Sequence, residues 1–279
     1  MQTDVVLHRG NSIIQHGHHN NRVYVMKLAP KDIPDIIRFA DDLCLQEGYS
    51  KIFVKVPASS VDQFLDNGYV PEATVPFFFR GKEPAIFMVK YGKPDRSIIH
   101  DSTILADVLS ASLINASMAS HAVLPDGYFL EPAKDRDAEE ITALYRAVFK
   151  TYPFPVFDPE YIRETMQGSI RYFIVRAPGR QLAAVASCEV NTAQGHAEMT
   201  DFATGPGFRG YGLASNLLRA METCLQGEGI LLAYTIARAI SRPINTLFAA
   251  AGYQYGGLLA NNTNICGNLE SMNVWYKKL

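Results

Sequence analysis

Residues 200–218 read TDFATGPGFRGYGLASNLL: a stretch with strand character, then four glycines, then apolar residues at helical spacing. A strand that turns through glycines into a helix leaves main-chain N–H groups unpaired at the positive end of the helix dipole, which suits a phosphate. Glycine lets such an anion approach the backbone where a Cβ would obstruct it. A chain built around this segment needs a sheet to end in it and further strands and helices to pack around it.

The flanking sequence supplies both. RYFIVRA (171–177) and QLAAVASCEV (181–190) predict a hairpin turned by Pro178 and Gly179, and HAEMTDFAT (196–204) a third strand. Leu213, Leu217, Leu218, Met221 and Leu225 mark an amphipathic helix that stops near Gly227 and Gly229. A strand at 230–237, a helix from about Ser241 to Gly252, and strands YQYGGLL and ESMNVWYKKL follow. A helix over 134–150 precedes the hairpin. The first third carries a fainter version of this rhythm: a helix from Ile33 to Gly48, a strand KIFVKV (51–56), a short helix capped by Ser59 or Ser60 and ended by Gly68, then two strands. CLQEG (44–48) echoes CLQGEG (224–229), and QFLDNGY (63–69) echoes TLFAAAGY (246–253), in the same order, so a repeated unit is expected. The expected domains are residues 1–95, a linker with a bridging helix over 96–126, and 127–279.

The chain has 279 residues, with 26 Lys+Arg against 28 Asp+Glu and no basic block. Nucleic acid is therefore not the expected partner. No uninterrupted apolar run approaches the ~18–20 residues of a bilayer span, and the start lacks a signal-peptide pattern, so a cytoplasmic protein without a membrane partner is expected. Cys44, Cys188, Cys224 and Cys266 lie far apart in apolar surroundings and read as buried thiols rather than disulfides. His16, His18 and His19 lack further ligands at metal spacing and read as a polar turn, so no metal is expected. His121 and His196 stand alone, and His196 reads as a structural histidine.

Two phosphate-binding fingerprints fail. Gly205, Gly207 and Gly210 satisfy GxGxxG, but Pro206 interrupts the turn, and Glu228, the only acid near the right distance, precedes the next strand instead of ending it. No GxxxxGK[ST] is present. Shifted slightly, Arg209-Gly210-Tyr211-Gly212-Leu213-Ala214 resembles the [RQ]-x-x-G-x-[GA] segment of the GNAT superfamily of N-acetyltransferases. The superfamily likeness covers about residues 128–279. The ending NTNICGNLESMNVWYKKL and the long first half are similar to the beta-lysine N6-acetyltransferase family.

The resemblance implies an α/β chain of the α+β type: a GNAT fold with a mixed, mostly antiparallel sheet flanked by helices, preceded by a degenerate GNAT-like half. It implies acetyl-coenzyme A as cosubstrate, with pyrophosphate on residues 209–214, the pantetheine arm beside Phe202, Ala203 and Thr204, and a contact from Asn245. It also implies acetyl transfer to the side-chain amine of beta-lysine, giving a compatible solute. A silent acyl-coenzyme A sensor, or an enzyme acting on a polyamine, an aminoglycoside or a protein amine, stays open as an alternative, as does a monomer or a homodimer.

The chemistry sets its own demands. An alkylammonium of pKa near 10.4 must lose a proton before it attacks a thioester. Glu198, on the strand before the loop, is the expected base. Asp201 should face the other way if pairing is regular. A backbone N–H near Phe202 and Ala203 can meet an oxyanion. Many superfamily members place a tyrosine where this chain has Phe248, so the proton for the thiolate would come from Tyr253, Tyr255 or water. The resemblance implies that the aromatic and acidic stretch 151–166 covers the acceptor site, giving Tyr152, Asp158, Glu160, Tyr161 and Arg171 as candidate substrate contacts. The counterpart of the phosphate loop in the first half, MKLAPKDIPDI (26–36), has no glycine, and Pro30 and Pro34 remove two amide donors. The first half is therefore expected to bind no coenzyme A and to wall the acceptor site.

Overall fold

The computed structural model describes residues 4–116, 122–265 and 267–279. His121 and Cys266 lie outside them. Among the described residues the first half contains β1 (Val5–Arg9), β2 (Ser12–Gly17), β3 (Arg22–Lys27), α1 (Asp35–Gln46), β4 (Lys51–Pro57), α2 (Val61–Leu65), β5 (Val70–Phe79) and β6 (Glu83–Tyr91). After α3 (Ser102–Ala116) come β7 (Phe129–Pro132), α4 (Ala138–Val148), α5 (Pro159–Gln167), β8 (Ile170–Arg176), β9 (Leu182–Asn191) and β10 (His196–Thr204). The chain closes with α6 (Leu213–Gly227), β11 (Leu232–Arg238), α7 (Arg242–Ala250), β12 (Gln254–Ile265) and β13 (Asn268–Lys278).

All these strands join one mixed sheet, in the order β1-β2-β3-β4-β6-β5-β12-β13-β11-β10-β9-β8-β7. Read outward from the seam between β5 and β12, both halves run in the same sequence of strands, with β7 as an extra edge on the second. In each, one helix joins a parallel pair of strands: α1 lies between β3 and β4, and α6 between β10 and β11. Every other pairing is antiparallel.

The core forms on both faces of the second half. Leu213, Leu217, Leu218, Met221 and Leu225 of α6 bury against Cys188, Val190, Ala197 and Met199. On the opposite face Ile141 and Tyr145 of α4 and Ile162 of α5 pack with Tyr172, Ile174, Val185 and Ala203. In the first half α1 buries Ile36, Ile37, Ala40 and Cys44 on Val23, Val25, Ile52 and Val54.

The seam rests on main-chain closeness and buried cations. Gly257 pairs with Ala73 at φ 140°, and a Cβ there would sit 2.4 Å from the Glu72 carbonyl oxygen, so only glycine lets β12 and β5 meet. The Lys51 ammonium, buried, donates to Glu72 (2.8 Å) and to the Ala260 carbonyl across the seam (2.7 Å). Burial lowers its pKa to about 8, against the pull of Glu72. Arg96 donates to the carbonyl oxygens of Asn261 (2.6 Å) and Asn20 (2.9 Å), tying the two halves together.

Four expectations need correction. The bridge between halves is the short turn at Pro94–Ser97, whereas α3 packs on α7, where Thr246 donates to Ser112. The segment Pro94–Ile114 is long and apolar enough to cross a membrane by length and composition, because its few charges are spaced between apolar residues. The short helix α2 receives no side-chain cap from Ser60. Cys224 is half-buried, on the edge of α6 beside Glu228.

Candidate active site

The parallel pair β10–β11 holds for only three residues, His196–Glu198 against Leu232–Tyr234. Beyond that point β10 carries a bulge between Thr200 and Ala203, with Asp201 in the left-handed region at φ 55°. β11 stays in register with β13 as far as Arg238. The two strands therefore part, and their facing edges border a cavity of about 900 Å³.

At one end of the cavity stands the N-terminus of α6. Gly210 (φ 86°) and Gly212 (φ 67°) turn the chain into it, and Gly212 packs so closely on Ala122 that a Cβ would lie 2.3 Å from the Ala122 Cβ. Arg209, Gly210, Gly212, Leu213, Ala214 and Ser215 border the cavity. The first-turn N–H groups of a helix have no intrahelical acceptor and point outward. A diphosphate fits this end on polarity and on space. Phe202 and Thr204 line the cavity, whereas the Ala203 side chain is buried on the α4 side. Tyr211 is 50% exposed and lies outside the cavity, its ring 6.0 Å from that of Tyr128.

At the other end three carboxylates gather. Glu189 and Glu198 are cross-strand partners, so they share a face of the sheet. The bulge turns Asp201 onto that face too, contrary to the regular alternation expected from sequence. Asp201 accepts from Ser187 (2.5 Å), Thr200 and Tyr152. Burial raises its pKa, and those three bonds oppose the rise. The Tyr234 hydroxyl donates to Glu198 (2.7 Å), and the Lys55 ammonium of the first half donates to Tyr234 (3.0 Å) and lies 3.9 Å from Glu198. Burial works against the Lys55 charge, but Tyr24 and Glu198 outweigh it and its pKa is raised. Glu189 is pushed up to about 8, first by burial and then by the charges of Glu198 and Asp201, with Lys55 opposing. The assembly thus holds a proton on one carboxyl near neutrality beside an exchangeable partner.

Several expected site residues fall elsewhere. Asn245 is 0% exposed and fully engaged: its amide donates to the carbonyl oxygens of Arg238, Ala239 and Ser241, and its oxygen accepts from Asn273 and Trp275. It ties α7 to β13 instead of reaching a ligand. Tyr253 is buried against Phe248 and Lys277, with burial raising its pKa, and it does not border the cavity. Tyr255 lies against Trp275. Asp158 caps α5 by accepting from the Glu160 main-chain N–H. Glu160 pairs with Arg163 at the surface. Tyr161 packs into the α4–α5 core, and Arg171 reaches the Gly168 carbonyl and Glu228 on the α6 side of the sheet. Of the acceptor-region candidates only Tyr152 borders the cavity.

Five lining residues come from the first half: Arg22, Tyr24, Met26, Phe53 and Lys55. The sequence signal for two of them was a cation inside an otherwise apolar strand, as in RVYVMK and KIFVKV. Glu189 is likewise a lone charge near the end of an apolar run, QLAAVASCEV. His196 is buried against Phe78, consistent with a structural place, although its Nδ1 has no partner among the described residues. His16 meets the Tyr49 hydroxyl, and among the described residues no group of three or more His, Cys, Asp or Glu side chains is arranged to hold a metal ion.

The family model described as Acetyltransferase (GNAT) family matches residues 138–242. The beta-lysine N(6)-acetyltransferase of Methanococcus maripaludis is 39% identical over 272 residues, which is 98% of this chain and 98% of that protein. The N-acetyltransferase YodP of Bacillus subtilis is 33% identical over 96% of each chain. The beta-lysine N(6)-acetyltransferase of Methanosarcina mazei is 31% identical over 84% of this chain and 93% of its own length.

Proposed function

The chain belongs to the beta-lysine N(6)-acetyltransferase family, and from that premise we propose how its cavity moves an acetyl group from acetyl-coenzyme A to the side-chain amine of beta-lysine. The observation that carries the reading is the parting of β10 and β11, which joins a helix N-terminus at one end of a single cavity to three carboxylates at the other.

Acetyl-coenzyme A supplies an electrophilic thioester when bound. Residues 209–215 would hold its diphosphate, and the unpaired edge of β10 at Phe202–Thr204 would flank its arm. Glu198 takes a proton from the entering ammonium, leaving a neutral nitrogen with a free lone pair. Tyr234 fixes the carboxylate that does so. The Lys55 charge beside it disfavours a second cation in the same space and so favours the uncharged amine. Phe202 and Phe248, edge to face at 5.6 Å, keep this part of the cavity apolar. Tyr152 is the tyrosine hydroxyl on the lining nearest these acids, in place of Tyr253.

The first half, residues 1–95, acts as a coenzyme-free counterpart of the catalytic half, 127–279, with 96–126 as linker. What supports this is the shared strand order and the loop before α1, where Pro30, Asp32 and Pro34 stand in place of glycines. The product keeps one ammonium and one carboxylate and is net neutral, which fits a compatible solute held in the cytoplasm. The test is thiol release from acetyl-coenzyme A with beta-lysine, lysine, spermidine and a lysine peptide, with the acetylated nitrogen located by NMR. Beta-lysine should give the highest kcat/KM. Release with none of them, despite bound coenzyme A, would favour the silent sensor.

A further inference from the structure

Arg22 sits on β3 of the first half, 4% exposed, and borders the cavity. Its Nη1 donates to the Asn262 carbonyl (2.6 Å) and to Thr263 Oγ1 (3.2 Å). Among the described residues its buried Nε finds no acceptor. Asn262, 1% exposed, borders the same cavity, and its side-chain Oδ1 finds no donor. Native interiors leave few polar atoms unmatched. Here one donor and one acceptor are unmatched among the described residues, on two side chains whose residues are joined by the Arg22 Nη1 bond to the Asn262 carbonyl, where the two halves meet. Arg238, another cation of the lining, is held at Nε and Nη2 by Glu270 (2.7 and 2.6 Å).

We propose that Arg22, Asn262 and Thr263 form the subsite for the head group of the amino-acid acceptor. The carboxylate of the acceptor lies on Arg22, and the ammonium next to it lies on Asn262 Oδ1. This rests on the acetyltransferase reading above and deepens it, because it assigns substrate selection to the half of the chain without a phosphate loop. A buried guanidinium with an unfilled donor calls for an anion, and the amide oxygen beside it calls for a cation; a zwitterionic head offers both. A polyamine offers no anion and brings a charge that Arg22 repels.

The spacing agrees. Arg22 and Tyr24 lie two residues apart on one face of β3, about 6.8 Å along a strand. The Tyr24 ring stacks on Phe53 at 4.8 Å and lies beneath the Lys55 ammonium at 5.4 Å. Lys55 in turn stands beside Glu198. An acceptor with its head on Arg22 therefore runs along an aromatic wall and ends with its far amine at the carboxylates.

The experiment compares beta-lysine with 1,4-diaminopentane, the same molecule without its carboxylate, at saturating acetyl-coenzyme A. In the wild-type chain kcat/KM should fall about 100-fold on losing the carboxylate, the scale of a buried charged hydrogen bond. In Arg22→Gln the ratio between the two acceptors should collapse toward one. Equal use of both by the wild type, or an unchanged ratio in the variant, overturns the proposal. Should Arg22→Gln not fold, inhibition of the wild type decides. 3-Aminobutanoate, the head group alone, should compete with beta-lysine, and butylamine at the same concentration should not; the reverse pattern overturns the subsite. Failure of the wild type to acetylate any amine would refute the acetyltransferase reading instead, while binding of 3-aminobutanoate by calorimetry, abolished in Asn262→Leu, would still uphold the subsite.

Discussion

Glu189 and Glu198 stand directly opposite each other across the β9–β10 ladder, on the face of the sheet that lines the cavity. Two buried carboxylates so placed do not both ionise near neutrality. Glu189 holds its proton up to about pH 8, while Glu198 accepts from the Tyr234 hydroxyl and lies 3.9 Å from the Lys55 ammonium. Glu198→Gln should lower kcat/KM by about 10²- to 10⁴-fold, the usual worth of a positioned base. Glu189→Gln copies the protonated carboxyl and should stay active at pH 7. It should also remove an inflection near pH 8 from the pH profile of kcat/KM. If Glu189→Gln is the impaired variant at pH 7 and Glu198→Gln stays active, Glu189 is the base and the assignment reverses.

The same shift bears on stability. Glu189 has a folded pKa above its unfolded value, so its contribution is complete below about pH 4.5 and is lost as pH rises through 8. Wild type should thus lose stability relative to Glu189→Gln between these limits, measured by urea unfolding at a series of pH values. Parallel curves for the two proteins would contradict the burial of a protonated carboxyl here.

Asn245 separates a binding role from a structural one. Removing its side chain in Asn245→Ala leaves the Trp275 indole N–H and the Asn273 amide without their acceptor inside the fold. The expected cost is about 2–4 kcal/mol of stability, as for other buried polar groups stripped of partners. Acetyl-coenzyme A affinity of the folded protein should be unchanged. Lost affinity at full stability would return Asn245 to the cofactor site.

Ser215 offers a test in which stability and affinity move in opposite directions. It lies exposed in the first turn of α6 and borders the cavity. An acid there favours the helix through its dipole, by about 0.3–1 kcal/mol. The same charge repels a diphosphate at that helix end. Ser215→Glu should therefore keep or raise the melting temperature and weaken acetyl-coenzyme A binding by at least about tenfold, the effect of 1.4 kcal/mol. Undiminished affinity by calorimetry would move the diphosphate away from α6.

The phosphate loop was legible because its requirements are local: a strand, glycines at φ values that other residues avoid, and a helix start. The shared strand order was legible as a rhythm of elements, since helix stops such as Gly48, Gly68 and Gly252 are also written locally. The position of Asp201 was not, because one bulge reverses the face that alternation assigns. Asn245 and Tyr253 look like ligands on a helix and after it, and only the packing of α7 on β13 turns them inward. Arg22, Tyr24 and Lys55 reach the site from β3 and β4, on the other side of a seam made by β5 and β12. Nothing near them in sequence announces that contact. β1 gives no signal in the sequence for a related reason: it is the outer edge, where the alternation of buried and exposed residues is weak.

His196 gives the chain an acid-sensitive contact at the same seam. Its ring lies 4.0 Å, centroid to centroid, from that of Phe78 on β5, and burial, with the Lys55 charge adding to it, lowers its pKa to about 3. The folded protein keeps it neutral where the unfolded chain, titrating at 6.5, takes up a proton. Its contribution is therefore whole above pH 6.5 and is lost as pH falls toward 3. At about 1.4 kcal/mol per pH unit, the loss from pH 6.5 to pH 4 is about 3 kcal/mol. His196→Phe keeps a flat ring against Phe78 and gives up no hydrogen bond at Nδ1, so it should unfold less readily in acid. Carboxylate titrations are common to both proteins and cancel in the comparison. Urea unfolding of the pair at pH 7.5, 6, 5 and 4 should show curves that diverge by about 3 kcal/mol at the acid end. Curves that fall in parallel would mean that His196 is protonated without opening the seam, and that acid sensitivity arises elsewhere.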